Sequence, residues 1–241
     1  MNLKAALLLF MGVTFGFAGG FFVANGLNKS RITELETQSV LQSNNQPETN
    51  SQSQDQLSAE EIKAKIAEAD SNPKNFDYQK NLGAALFQYA QSKQDKTLLA
   101  EAERLLSRAN SLKPDDYNLL VSLAIVNFDI AQINNDPKAN QKSRELFAKS
   151  LSVKPDNPDV LADYAATFLE FEPEDVNKAQ AELQKALKIN PKNERALQFM
   201  VQVKLKMGET DQAKSYLAQL KQVNANNPSI AGYETQMGSG K

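Results

Sequence analysis

The placement of proline after Ser58 constrains this chain more than any other feature. Pro73, Pro114, Pro155 and Pro191 stand 41, 41 and 36 residues apart. Three of them close the same phrase: Leu112-Lys113-Pro114, Val153-Lys154-Pro155 and Ile189-Asn190-Pro191, with Ser71-Asn72-Pro73 upstream. A residue without an N–H ends a helix readily, so these points read as helix stops. Ahead of the later three lies a small–large–small pattern, Ala102…Leu106…Ala109, Ser143…Phe147…Ser150 and Ala179…Leu183…Ala186. Spacings of four and three put those residues on one helical face, pressed against a neighbour. A further unit, Ala213…Leu217…Leu220, runs to Ala225, 34 residues after Pro191. Periods of this size signal stacked supersecondary units.

Each unit has room for a helix before that one. Its core pairs are Leu82-Gly83 with Leu86, Leu123-Ala124 with Asn127, Tyr164-Ala165 with Phe168, and Met200-Val201 with Lys204. Pro158 and Pro228 fall at helix starts, where proline is tolerated, and Pro137 and Pro173 in expected loops between paired helices. Strand signals are absent, and the expected class is all-α.

The pattern resembles the tetratricopeptide repeat, a helix–turn–helix of about 34 residues with a W-x2-L-G-x2-Y…A-x3-F…A…P signature. Gln79, Leu120, Leu161 and Leu197 replace its tryptophan, and only the first unit keeps the glycine. The first two units carry about seven extra residues, and the third about two, which longer helices or a longer loop would absorb. The resemblance implies an α-solenoid of about four repeats, near 76–114, 117–155, 158–191 and 194–225. Helices near 58–72 and 228–237 would cap it, because an uncovered terminal repeat exposes its core. Ser58-Ala59-Glu60-Glu61 is a capping box for the first of these.

Residues 58–241 thus form the expected repeat domain, and two further segments precede it. Ala5 to Leu27 is an uncharged run between Lys4 and Lys29, long enough for the roughly 20 residues that span a bilayer. Residues 1–30 are expected to hold one transmembrane helix; a cleaved leader ending near Gly16-Phe17-Ala18 is the competing reading. Gly12, Gly16, Gly20 and Ala24 recur every fourth residue, a stripe suited to close approach of two such helices and so to a homodimer. The basic flanks are too even to set orientation. Within the tether, 31–57, 15 of the 20 residues from Thr37 to Gln56 are Gln, Asn, Ser or Thr, too polar to offset their ordering entropy.

The residue inventory narrows function. The chain has no His, no Cys and no Trp, which removes imidazole and thiolate chemistry, disulfides and the usual zinc sites. No nucleophile–base pair, cofactor motif or metal-ligand spacing is visible; no enzyme activity, cofactor or metal is expected. Carboxylates at Asp115, Asp116, Glu172, Glu174 and Asp175 fit turn and N-cap duties more cheaply than a metal or acid–base site. A net charge of −2 offers no basic field for nucleic acid.

In tetratricopeptide repeats the first helices line a concave groove, and the resemblance assigns its residues. Lys80 is present, but Ala84, Val121 and Ile125 do not complete the Lys–Asn set with which some family members clamp a carboxylate. The expected groove is apolar in its middle, at Val121, Ile125, Phe128, Ala162, Ala166 and Leu169, with Lys80, Gln198 and Gln202 towards its ends. It would hold an apolar or amphipathic segment of a protein partner, unless those residues pack against neighbouring repeats.

A local likeness adds detail. Asp156-Asn157-Pro158-Asp159-Val160-Leu161-Ala162-Asp163-Tyr164-Ala165 and Leu183-Gln184-Lys185-Ala186-Leu187-Lys188-Ile189-Asn190-Pro191 resemble the repeat module of bacterial cytochrome c maturation proteins. Those are membrane-anchored, face the periplasm and hold the carboxyl-terminal helix of apocytochrome. The expectation is a membrane-tethered scaffold or assembly chaperone whose repeats lie outside the cytoplasm. The alternative is a structural membrane protein that self-associates through the glycine stripe and end-to-end stacking.

Overall fold

The computed structural model describes residues 58–171 and 174–238. The apolar run with Gly12, Gly16, Gly20 and Ala24, the polar tether, Glu172 and Pro173 lie outside the described residues. Among the described residues there are ten helices and no strand: α1 Ala59–Ser71, α2 Phe76–Lys93, α3 Lys96–Leu112, α4 Tyr117–Asn134, α5 Pro137–Val153, α6 Pro158–Ala166, α7 Val176–Ile189, α8 Glu194–Lys206, α9 Thr210–Val223 and α10 Ile230–Gly238. None of them is long and apolar enough to cross a membrane.

The helices pair as α2–α3, α4–α5, α6–α7 and α8–α9, and each pair stacks on the next through α3–α4, α5–α6 and α7–α8. First helices also meet directly, α2 with α4 and α6 with α8. Helix α1 covers one end, against α2, and α10 the other, against α9. The result is an all-α solenoid.

Short polar side chains start nearly every helix. Ser58 accepts from the Glu61 N–H while Glu61 accepts from the Ser58 N–H, a complete capping box. Asn75, Asp95, Asp116, Asp136, Asn157, Asp175 and Asn193 each accept from first-turn amides, satisfying donors that no helical carbonyl can reach. Pro137 is corrected from the loop to the first position of α5, behind the Asp136 cap; proline has no N–H to waste there.

Helix length, not loop length, absorbs the extra residues of the first two repeats. Helices α2 and α4 have 18 residues against 13 in α8, and α3 and α5 have 17 against 14 in α9. Two residues make each turn. Gln94 and Asn135 take left-handed conformations at φ 55° and 51°, and the aspartate after each caps the next helix. The third repeat differs, because α6 stops at Ala166. The Thr167 carbonyl leaves the helix and accepts from Asn140 Nδ2 at 3.0 Å and Arg144 Nη2 at 2.5 Å. The Arg144 guanidinium also covers the Phe168 ring at 4.2 Å.

The core runs unbroken along the stack. Leu105, Leu106, Leu119, Leu120, Leu123 and Phe147 anchor its first part and Leu183, Met200 and Leu220 its later parts, all below 2% exposure. Leu151 and Tyr164 bridge the first and second parts, and Leu187 and Tyr216 the second and third. Each buried leucine contributes roughly 1.5–3 kcal/mol.

Candidate functional site: the face of the first helices

The first helices present a polar seam, and N-cap residues build it. Asp116 caps α4 and also accepts from Lys80 of α2 at 3.1 Å. Asn193 caps α8 and donates to Asp159 of α6 at 2.7 Å. Asn227, ahead of α10, donates to Gln198 Oε1 at 3.1 Å and to Glu194 Oε1 at 2.7 Å in α8. A short side chain can start its own helix and grip the previous first helix at once, because successive first helices lie side by side.

Deeper in the seam, side chains of all four first helices form a line. Gln91 of α2 donates to Asp129 of α4 at 2.5 Å, and Arg195 of α8 donates to Asp163 of α6. Asp129, Asp163 and Arg195 are 8%, 7% and 9% exposed, so the Arg195–Asp163 pair lies away from water, with the Asp129 carboxylate close enough to feel both charges. Burial pushes the Asp129 carboxyl up to about 7; the Asp163 charge adds to the rise, and the Gln91 hydrogen bond and Arg195 oppose it. A buried carboxyl takes up a proton when desolvation outweighs its cation.

Towards the carboxyl-terminal end the seam opens. Glu170 is exposed, yet the surrounding wall strips enough water to raise its carboxyl, against a hydrogen bond with Gln202 and the Lys206 charge, while Glu174 adds to the rise. Lys206 is bonded to Glu174 at 2.7 Å. Tyr233 of α10 lies alongside, its hydroxyl donating to the Gln198 carbonyl at 3.2 Å. Burial raises that hydroxyl, and the Glu170 charge contributes.

The residues expected to line an apolar groove sit elsewhere. Val121, Ile125, Phe128, Ala162, Ala166 and Leu169 are all buried, none more than 9% exposed. Val121 and Ile125 join the first part of the core, and Ala162 and Leu169 the second. The correction has a packing cause. Helix α4 is flanked by α5, α3 and α2, and α6 by α7, α5 and α8, so an apolar side chain at those positions is covered by the chain itself. Lys80 is held by Asp116 and lies 5.5 Å from the Phe76 ring centre, and Gln198 is closed over by Asn227 and Tyr233. Of the nine, Lys80 and Gln202 are half-buried and the other seven are buried.

The repeat resemblance puts Asp129, Glu170 and Arg195 at groove-facing positions without giving them a role in holding the partner, and it passes over Asp163. Asp129 and Glu170 are each the thirteenth residue after an N-cap, Asp116 and Asn157. The shared count does not give them one helical position, because α6 ends at Ala166 and Glu170 lies beyond it. Among the described residues no group of three or more His, Cys, Asp or Glu is placed to hold a metal ion.

Comparison with known proteins identifies the architecture. Residues 170–236 match a family model described as tetratricopeptide repeat. No curated protein sequence matches the chain. Among solved structures, MamA superposes with a TM-score of 0.54 at 18% identity, over 68% of this chain and 86% of that one. MamA from residue 41 to its end, from Desulfovibrio magneticus RS-1, gives 0.56 at 12% identity over 69% and 85%. The pilF protein of Pseudomonas aeruginosa gives 0.52 at 21% identity over 73% and 72%. At such identities the likeness is one of fold.

Proposed function

We propose that this tetratricopeptide-repeat chain is a protein-interaction module that holds a segment of a partner protein against the face of its first helices. In this reading the run from Ala5 to Leu27 tethers it to a membrane and the repeats lie outside the cytoplasm, as a scaffold or assembly chaperone. The observation that carries the binding site is the contrast along the seam. From Lys80 to Arg195 the polar groups are satisfied by neighbouring repeats, whereas Glu170 and Lys206 are exposed and Gln202 is half-buried. A partner segment meets polar and charged groups there, and the apolar residues beneath supply rigidity. That arrangement favours an extended or helical segment with a charged anchor over a purely apolar one.

A photo-reactive amino acid placed at Gln202, on the open seam, or at Gln184, exposed on the second helix α7, tests the site. Cross-linking of the same partner from position 202 and not from 184 is the expected result. Cross-linking from 184 alone would move the site to the second helices.

A further inference from the structure

Among the described residues the exposed large hydrophobic side chains are Leu112, Val153, Ile189, Met207 and Val223. Four of these hold the same place in the fold. Leu112, Val153, Ile189 and Val223 are the last residues of α3, α5, α7 and α9, the second helices of the four repeats. Each second helix ends just ahead of the next first helix, and the starts of successive first helices lie side by side, joined by Lys80 to Asp116, Asn193 to Asp159 and Asn227 to Glu194. The four aliphatic residues therefore line one edge of the solenoid, one per repeat. They are between 37% and 48% exposed, so the core beneath does not account for them.

Cations stand beside this row. Lys113 and Lys154 follow Leu112 and Val153, and Lys188 precedes Ile189. All three are exposed, and among the described residues none forms an ion pair. Lys113 and Lys154 instead lie over the rings of Phe76 and Tyr117, 3.9 and 5.6 Å from their centres, which leaves their charge uncompensated. The acids of the same edge are largely spoken for. Asp115 and Asp116 pair with Lys149 and Lys80, and Asp159 and Glu194 are half-buried under asparagine amides. Exposed Asp77 and Asp156 are matched in number by exposed Lys74 and Lys192. In the third and fourth repeats the opposite edge is acidic, with Glu170, Asp175 and Asp211 exposed.

We propose that the edge formed by the ends of the second helices rests on an anionic bilayer, its four aliphatic side chains in the headgroup layer and the neighbouring lysines against lipid phosphates. Apolar area and basic charge act together in binding of this kind. The row consists of single side chains at helix ends, each a repeat away from the next, and a fluid surface meets such a row without needing a groove. An anionic surface also repels the acidic edge, which fixes which way the solenoid faces. The nearness of a bilayer rests on the membrane tether of the proposed function. The contact leaves the face of the first helices free for a partner.

The chain has no cysteine, so one introduced thiol carrying an environment-sensitive fluorophore reports on one position. Full-length Val153→Cys and Ile189→Cys, with Thr210→Cys at the opposite edge as control, are labelled and reconstituted into vesicles of phosphatidylcholine alone or mixed with phosphatidylglycerol. Emission from positions 153 and 189 is expected to move to the blue in the anionic vesicles only, while emission from position 210 stays put. Adding Lys154→Glu and Lys188→Glu together should abolish the shift at 189. No shift at 153 and 189, the same shift in both kinds of vesicle, or an equal shift at 210 overturns the inference. A shift that needs no vesicles and grows with protein concentration overturns it too, and assigns the row to a second copy of the chain. Release of the protein by alkaline carbonate overturns the tether alone; the blue shift, read before extraction, still carries the edge.

Discussion

At the scale of single residues, the departures from the family pattern have local causes. Gln79 stands where tryptophan is usual, buried at 0% exposure. Its amide donates to the carbonyls of Ala69 and Asn72 at 2.6 and 3.1 Å and its oxygen accepts from Arg108 at 3.3 Å. The first repeat follows a lone capping helix, and Gln79 satisfies carbonyls at its end that an indole could not. Lys204 is likewise buried at a core position, its ammonium 2.7 Å from Glu209. Gly83 is kept for space: a Cβ there would lie 2.8 Å from Leu106 Cγ and 3.2 Å from the Leu106 nitrogen. Gly83→Ala is therefore expected to destabilise the protein by about 1–3 kcal/mol, the usual cost of overpacking. Urea unfolding of the two proteins measures it, and an unchanged midpoint would show that Leu106 yields without cost.

At the scale of elements, a line of buried polar side chains crosses the first helices as two pairs, Gln91 with Asp129 and Arg195 with Asp163. Asp129 keeps its proton up to about pH 7 in the folded chain, whereas an unfolded aspartate loses it near 3.9. Between those values the folded state binds more protons, so this residue's contribution makes stability fall as pH rises from about 4 to about 7 and level off above. The Asp129→Asn variant removes that slope. The difference in unfolding free energy between wild type and variant should grow through this window in the variant's favour, by a few kcal/mol in order of magnitude. A pH-independent difference would mean that Asp129 is ionised in the fold.

This line was not legible from the sequence, and the reason is physical. Its members are separated by 32 and 38 residues, and nothing local distinguishes a seam aspartate from one on a solvated face. The repeats themselves were legible, because proline and the small–large–small pattern act within a single helix. The distribution of extra residues was half legible. Their number could be counted, but choosing helix over loop depended on Gln94 and Asn135 adopting left-handed turns, and neither residue is an obligate choice for that conformation.

At the scale of the whole molecule, the proposed function joins the repeat domain to a membrane through the segment 31–57. Protease added to intact cells stripped of any outer wall is expected to digest the domain from Ser58 to Lys241. Protection that persists until the membrane is dissolved would place the repeats on the cytoplasmic side and direct the search to partners there. The residues expected to line an apolar groove are covered at this scale: α4 and α6 each pack against three neighbouring helices, so their apolar positions become interior.

The diagonal through the seam also limits how such a chain can change over generations. In many repeat arrays a unit can be copied or lost with little consequence, since each presents the same faces to its neighbours. Here Gln91, Asp129, Asp163 and Arg195 belong to four different units and meet only in one order. Losing the second unit would take Asp129 from Gln91; losing the third would take Asp163 from Arg195. The order of the repeats is thus written into their polar side chains, and every one of the four units carries a member of it.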